Sequence, residues 1–138
     1  VQLKGDPAGL RRLNVRLIRW IMALVVCGGV AYTLLGKVLL SLWLKDPAAT
    51  AATHPLLSVL LTGTALNAFY IVGYIHWLVL DKVHRLLFVN AVAMVLSFAI
   101  IPLLVTRLGP VGAAFGWLTI NLIGFVLSLE WLKNPRNE

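Results

Sequence analysis

Asn67, Tyr70 and Tyr74 stand three and four residues apart inside an uncharged apolar run, Leu56 to Leu80. That spacing puts all three on one side of a helix. Thr64 and Trp77 extend the set, so amide, phenol, hydroxyl and indole share about 140° of helical arc. Asn67 lies near the middle of the run. An amide left unpaired there is costly, so it either bonds to a neighbouring helix or faces a polar path. Asn121 holds a comparable depth in a later run, Val111 to Leu129, and the two asparagines are expected to pair or to face the same polar space. His76 reads as interfacial and not as a proton relay. Lys37, Lys82, Arg85 and Arg107 stand at or near the ends of apolar runs. The chemistry within reach of such groups is hydrogen bonding, stacking and charge pairing. Bond-making chemistry has no comparable set. No His/Cys group has metal-ligand spacing, no carboxylate pair lies in the runs, and no glycine loop is built to cradle phosphate. Ser58, Ser97 and Ser128 have no base nearby in sequence and read as helix-packing serines. Neither an enzyme, a metal site nor a bound cofactor is expected.

The elements that would carry these residues follow from composition. Of 138 residues, 60% are hydrophobic and 12% charged, about half the charged fraction of a soluble domain. Mean hydropathy is +0.91. The apolar runs are continuous, whereas strands of a membrane barrel alternate over about ten residues. The fold class is therefore all-α integral membrane. A net charge of +7 does not point to nucleic acid, because the basic residues mark the ends of apolar runs and form no patch interleaved with aromatics. Cys27 is the single cysteine, lies in an apolar run and reads as a small buried hydrophobe.

Four transmembrane helices in antiparallel hairpins are expected over residues 17–133, with spans at about 20–43, 56–80, 86–104 and 111–132. Residues 1–16 form a basic leading segment, cytoplasmic or interfacial, with Lys4, Arg11, Arg12 and Arg16 among Leu10, Leu13 and Val15. Its pattern suggests a short amphipathic helix on the membrane surface ahead of the first span. Residues 45–55 read as a loop, with Pro55 in the first turn of the second span. Lys37 either snorkels to the outer interface or faces a cavity. Pro102 is expected to kink or end the third span. The turn Arg107-Leu108-Gly109-Pro110 then leads into glycines four apart, Gly112 and Gly116, which let a neighbouring backbone approach closely. Residues 134–138 form a cytoplasmic tail. Four spans place nine of the twelve basic residues on one side and three, Lys37, Lys45 and Arg107, on the other. Basic excess marks the cytoplasmic face, so both termini are expected inside.

Residues 85–125 resemble the C-terminal region of the polysaccharide flippases of the MOP transporter superfamily. The features are Arg85 in a short basic turn, Asn90 early in the next helix, Ile101-Pro102, and Gly109-Pro110-Val111-Gly112-Ala113-Ala114. The segment Gly36 to Leu44 adds a weaker likeness, and the whole extends over about residues 20–132. The resemblance implies a two-lobed transporter of which these would be the last four helices, consistent with a start at Val1 that reads as a piece of a longer protein. It implies movement of lipid-diphosphate-linked oligosaccharide across the cytoplasmic (inner) membrane by alternating access, with a proton or sodium gradient as a possible driving force and no cofactor. The implied partners are the bilayer, the lipid-linked oligosaccharide and the transporter's remaining helices. Under that reading Asn67, Tyr70, Tyr74 and Asn121 would stack on or hydrogen-bond sugars. Lys37 and Arg107 would be outer cations, and Lys82 and Arg85 inner ones. The alternatives are a multidrug or peptidoglycan-precursor exporter of the same superfamily, or a self-contained four-helix assembly protein.

Overall fold

The computed structural model describes residues 6–129, all helix apart from short turns. The order is α1 (Pro7–Leu44), α2 (Pro47–Val79), α3 (Val83–Leu108) and α4 (Pro110–Ser128). Residues 1–5 and 130–138, including the expected tail and the end of the fourth span, lie outside the described part.

Two helix starts share one local device. Asp6 accepts a hydrogen bond from the Gly9 amide at 2.8 Å, ahead of Pro7. Asp46 accepts from Ala48 at 2.8 Å and Ala49 at 3.3 Å, ahead of Pro47. An aspartate cap followed by proline satisfies orphan amides and presets the first helical φ. The device moves both expected boundaries. The basic leading segment is not a separate surface helix, since Asp6-Pro7 starts a single helix that runs unbroken into the first span. Residues 47–55 are helix, because Asp46-Pro47 caps α2 eight residues before Pro55. Pro55 is carried inside α2, and Pro102 inside α3. α3 ends only at Gly109, whose φ of 62° suits a residue without a side chain. Gly109 also opens α4, so the turn between α3 and α4 is a single residue.

α4 lies between α2 and α3. On one side, a Cβ at Gly112 would strike the backbone carbonyl of Leu104, and one at Gly116 would lie 2.6 Å from Ile101 Cγ1. These two glycines therefore seat α4 against α3. On the opposite side Ala114, Asn121, Gly124 and Ser128 are buried toward α2. A Cβ at Gly63 would come 2.6 Å from Trp117, and one at Gly73 would come 2.6 Å from the Ser128 carbonyl. The rising order of these pairs shows that α2 and α4 run parallel, as alternate helices of an up-and-down bundle do. α1 touches mainly α2, antiparallel to it.

All four helices are long and apolar enough to cross a membrane. Their outer faces carry large hydrophobic side chains: Leu24, Val26, Leu34 and Leu39 on α1, and Phe88, Met94, Val95 and Phe98 on α3 are all exposed. In water such faces would aggregate; in lipid they are the solvated surface. This is the organisation of a multi-pass membrane protein.

Candidate functional site

α1 and α2 are joined at two levels and separated between them. Near the start of α1, Asn14 is fully buried, and its Nδ2 donates to His76 Nδ1 at 3.1 Å. Some 18 residues further along α1, Tyr32 stacks on His54 with ring centroids 5.3 Å apart and planes inclined by 13°. The Tyr32 hydroxyl donates to the His54 carbonyl at 2.8 Å. Between these two clamps the helices part around a cavity of about 540 Å³.

Its α1 wall is Leu24, Val25, Gly28, Gly29 and Tyr32, and its α2 wall includes Ser58, Thr62 and Thr64. A Cβ at Gly28 or Gly29 would meet nothing within 4 Å. The glycine pair therefore opens space and seats no helix among the described residues. The α2 hydroxyls have a fixed polarity. Ser58 donates to His54 O at 2.9 Å, Thr62 to Ser58 O at 2.9 Å and Thr64 to Leu60 O at 2.9 Å. Ser58 Oγ also lies 3.4 Å from Tyr32 Oη, so the two threonine oxygens, their protons committed to the backbone, are the acceptors left on groove-lining residues. The groove is thus an apolar cleft with a pair of acceptors, suited to a ligand that brings hydroxyl donors on an apolar body.

The polar stripe of α2 is placed elsewhere. Trp77 forms a buried cluster with Leu86 and Val89, and Tyr70 and Tyr74 pack against it. The two tyrosine rings meet edge-on at 6.2 Å. Tyr70 Oη is buried without a hydrogen-bond partner. Asn67 is half-buried at the level of Asn121, but no hydrogen bond joins them. Asn121 Nδ2 donates instead to the Trp117 carbonyl of its own helix at 2.7 Å. Of the two expected arrangements the hydrogen-bonded pair does not form, although the two side chains share one level of the α2–α4 packing. Thr64 alone of the stripe reaches the groove.

The candidate cations fall at the two ends of the bundle. Lys37 is exposed and lines a recess of about 420 Å³ with Ser41, Lys45, Asp46 and Thr50 at the α1–α2 turn. Arg107 is exposed in the last turn of α3, at the same end. Lys82 and Arg85 are half-buried at the opposite end, where Arg85 joins His84, Trp77, Phe88, Val89 and Leu127 around a space of about 470 Å³. His76 is not merely interfacial, since its ring meets buried Asn14 on α1. Among the described residues no three His, Cys, Asp or Glu side chains gather in a metal-binding group. Cys27, expected to be buried, is exposed on the outer side of α1.

Sequence reasoning passed over Asn14, Tyr32 and His54. A signal was present: Tyr32 and Ser58 each stand 13 residues from Lys45 in the α1–α2 turn, as antiparallel partners must. No family model, curated protein or solved structure matches the chain.

Proposed function

We propose that these four helices belong to a transporter that moves a lipid-diphosphate-linked oligosaccharide across the cytoplasmic membrane, with both ends of the segment on the cytoplasmic side. The observation that carries the proposal is the α1–α2 groove. A lipid-linked glycan is apolar at one end, rich in hydroxyl donors at the other and anionic between. An apolar cleft with ordered acceptors at mid-span suits the first two properties. Cations at both ends of the bundle, Lys37 and Arg107 against Lys82 and Arg85, suit the third. Such a cargo needs a wet path with hydrogen-bonding walls, because a charged headgroup is costly in hydrocarbon. The order of Arg85, Asn90, Ile101-Pro102 and Gly109 to Ala114 supports the same reading.

The test is transport by the full-length protein in sealed proteoliposomes. A fluorescent lipid-diphosphate oligosaccharide is loaded in one leaflet and its arrival in the other read with an impermeant glycosidase. Time-dependent exposure of the glycan is expected. Bulky substitutions in the groove, Gly29→Leu and Thr62→Leu, are expected to slow it at least tenfold while leaving the protein folded. Equal rates with empty liposomes would sink the proposal. Transport of a cationic drug or a peptide-bearing lipid precursor, but not of the oligosaccharide lipid, would replace this cargo by the exporter alternatives.

A further inference from the structure

Helix α1 presents a second surface, on the side away from α2. Arg11, Arg12, Arg16 and Arg19 are all exposed, and their spacing gathers them within about 140° of arc. The opposite side of the same turns is docked: Leu10 is 2% exposed and Asn14 0%, and Leu13 and Leu17 are half-buried. The arginine stripe is therefore held outward by packing behind it. Among the described residues none of the four arginines has an ion-pair partner, and the nearest acid in sequence, Asp6, caps the helix through Gly9. One turn further along, the same side changes character. Met22, Val26, Val30 and Leu34 continue it, 49%, 54%, 52% and 72% exposed, with Trp20 at the boundary. From Arg11 to Arg19 the stripe covers about 12 Å, and from Met22 to Leu34 the apolar part covers about 18 Å. The second length is close to half of a hydrocarbon core about 30 Å thick.

We propose that this face of α1 seats an anionic phospholipid, with the headgroup phosphate on the arginines and an acyl chain along Met22, Val26, Val30 and Leu34. Charge complementarity and the abrupt change from cation to aliphatic on one continuous face fix the occupant. A soluble anion would use only the lower half, and another apolar helix would leave four guanidinium groups without counter-charge. Guanidinium forks match phosphate oxygens in pairs, and Trp20 occupies the depth where indole settles. The proposal rests on the membrane-spanning fold and not on any transported cargo.

The experiment is native mass spectrometry of the full chain released from a neutral detergent, with phosphatidylglycerol and phosphatidylcholine offered in equal amounts. Phosphatidylglycerol is expected to be retained at least tenfold over phosphatidylcholine. Each basic residue near an anionic surface contributes about fivefold, so the variant R11Q/R12Q/R16Q/R19Q is expected to lose that preference. The variant K37Q/K45Q/R107Q, which removes charge from the other end, is expected to keep it. Should the quadruple glutamine variant fail to fold, the quadruple lysine variant and a salt titration of the wild-type chain decide: preference is retained with lysine and lost in high salt. Retention by the glutamine variant, equal loss in the distal variant, or indifference to salt overturns the site. Binding of deacylated glycerophosphoglycerol as tight as that of the intact lipid overturns the acyl seat.

Discussion

At the scale of single residues, two polar clamps join α1 to α2, and each has a distinct cost of removal. Asn14 gives one amide hydrogen to His76, while its Oδ1 is buried without a donor. A neutral His76 with its proton on Nε2 accepts through Nδ1; a turned amide would instead meet a ring that donates there. Asn14→Ala removes the bond and leaves a void, and is expected to destabilise the chain by about 1–3 kcal/mol. Asn14→Leu, which fills the space without an orphaned oxygen, is expected to recover part of that loss. Thermal unfolding in a mild detergent measures both, and equal midpoints for wild type and Asn14→Ala would remove the clamp from the account. At the other clamp, Tyr32→Phe keeps the stack on His54 and loses only the hydroxyl bond, an expected loss of about 1 kcal/mol. Tyr32→Ala loses both, and the same unfolding series is expected to rank it clearly below the phenylalanine variant. Neither clamp is conspicuous in the sequence. Asparagine and tyrosine in apolar runs announce a need for partners, and Asn67, Tyr70 and Tyr74 announce it more loudly than Asn14 and Tyr32 do. The partner is named only when two helices are laid side by side.

At the scale of elements, glycines separate the helix pairs that touch from those that part. Gly63, Gly73, Gly112 and Gly116 each have a neighbour where a Cβ would go, whereas Gly28 and Gly29 have none. Gly73→Val is expected to push α4 from α2 and cost about 1–3 kcal/mol or more, as overpacking does. Gly112→Ala acts likewise on the α3–α4 hairpin, where the obstacle is the unyielding Leu104 backbone. Gly29→Ala has room, and is expected to be neutral or to stabilise by up to about 1 kcal/mol through helix propensity. Measured unfolding free energies in the opposite order would show that the helices pack differently. The α4 glycines were legible in sequence as a close-approach motif. Which helix they approach was not, because α4 carries two faces of small residues and both find a neighbour. The boundaries at Asp6-Pro7 and Asp46-Pro47 were written in plain capping chemistry, yet charge and loop-like composition around them suggested breaks. α1, 38 residues long, would extend about 57 Å, well beyond a hydrocarbon core of about 30 Å, so its first turns stand outside the membrane.

At the scale of the whole molecule, orientation and surroundings lend themselves to test through the single cysteine. Cys27 faces outward near the middle of α1, so in membranes, where a thiol in hydrocarbon does not ionise, it is expected to resist an impermeant maleimide and to react with it once the chain is unfolded. Rapid reaction with the impermeant reagent would place water, and not lipid, beside that face. In a Cys27→Ser background, cysteines placed at Asp81 and at Thr106 are expected to label from opposite sides of sealed vesicles, with Asp81 on the cytoplasmic side. Labelling from one side would overturn the four-span topology. The sequence by itself determined that the chain is helical, that four runs reach membrane length and that basic residues crowd one side, because hydrocarbon solvent selects continuous apolar helices and charge selects their orientation. Only the tertiary structure decided that α4 lies between α2 and α3, that the Tyr70–Tyr74–Trp77 stripe is packed core, and that open space lies between α1 and α2. The reason is physical: in a membrane the buried and the lipid-facing sides of a helix are alike in hydropathy. The contacts that distinguish them come from the shape of small residues and from polar partners far away in sequence.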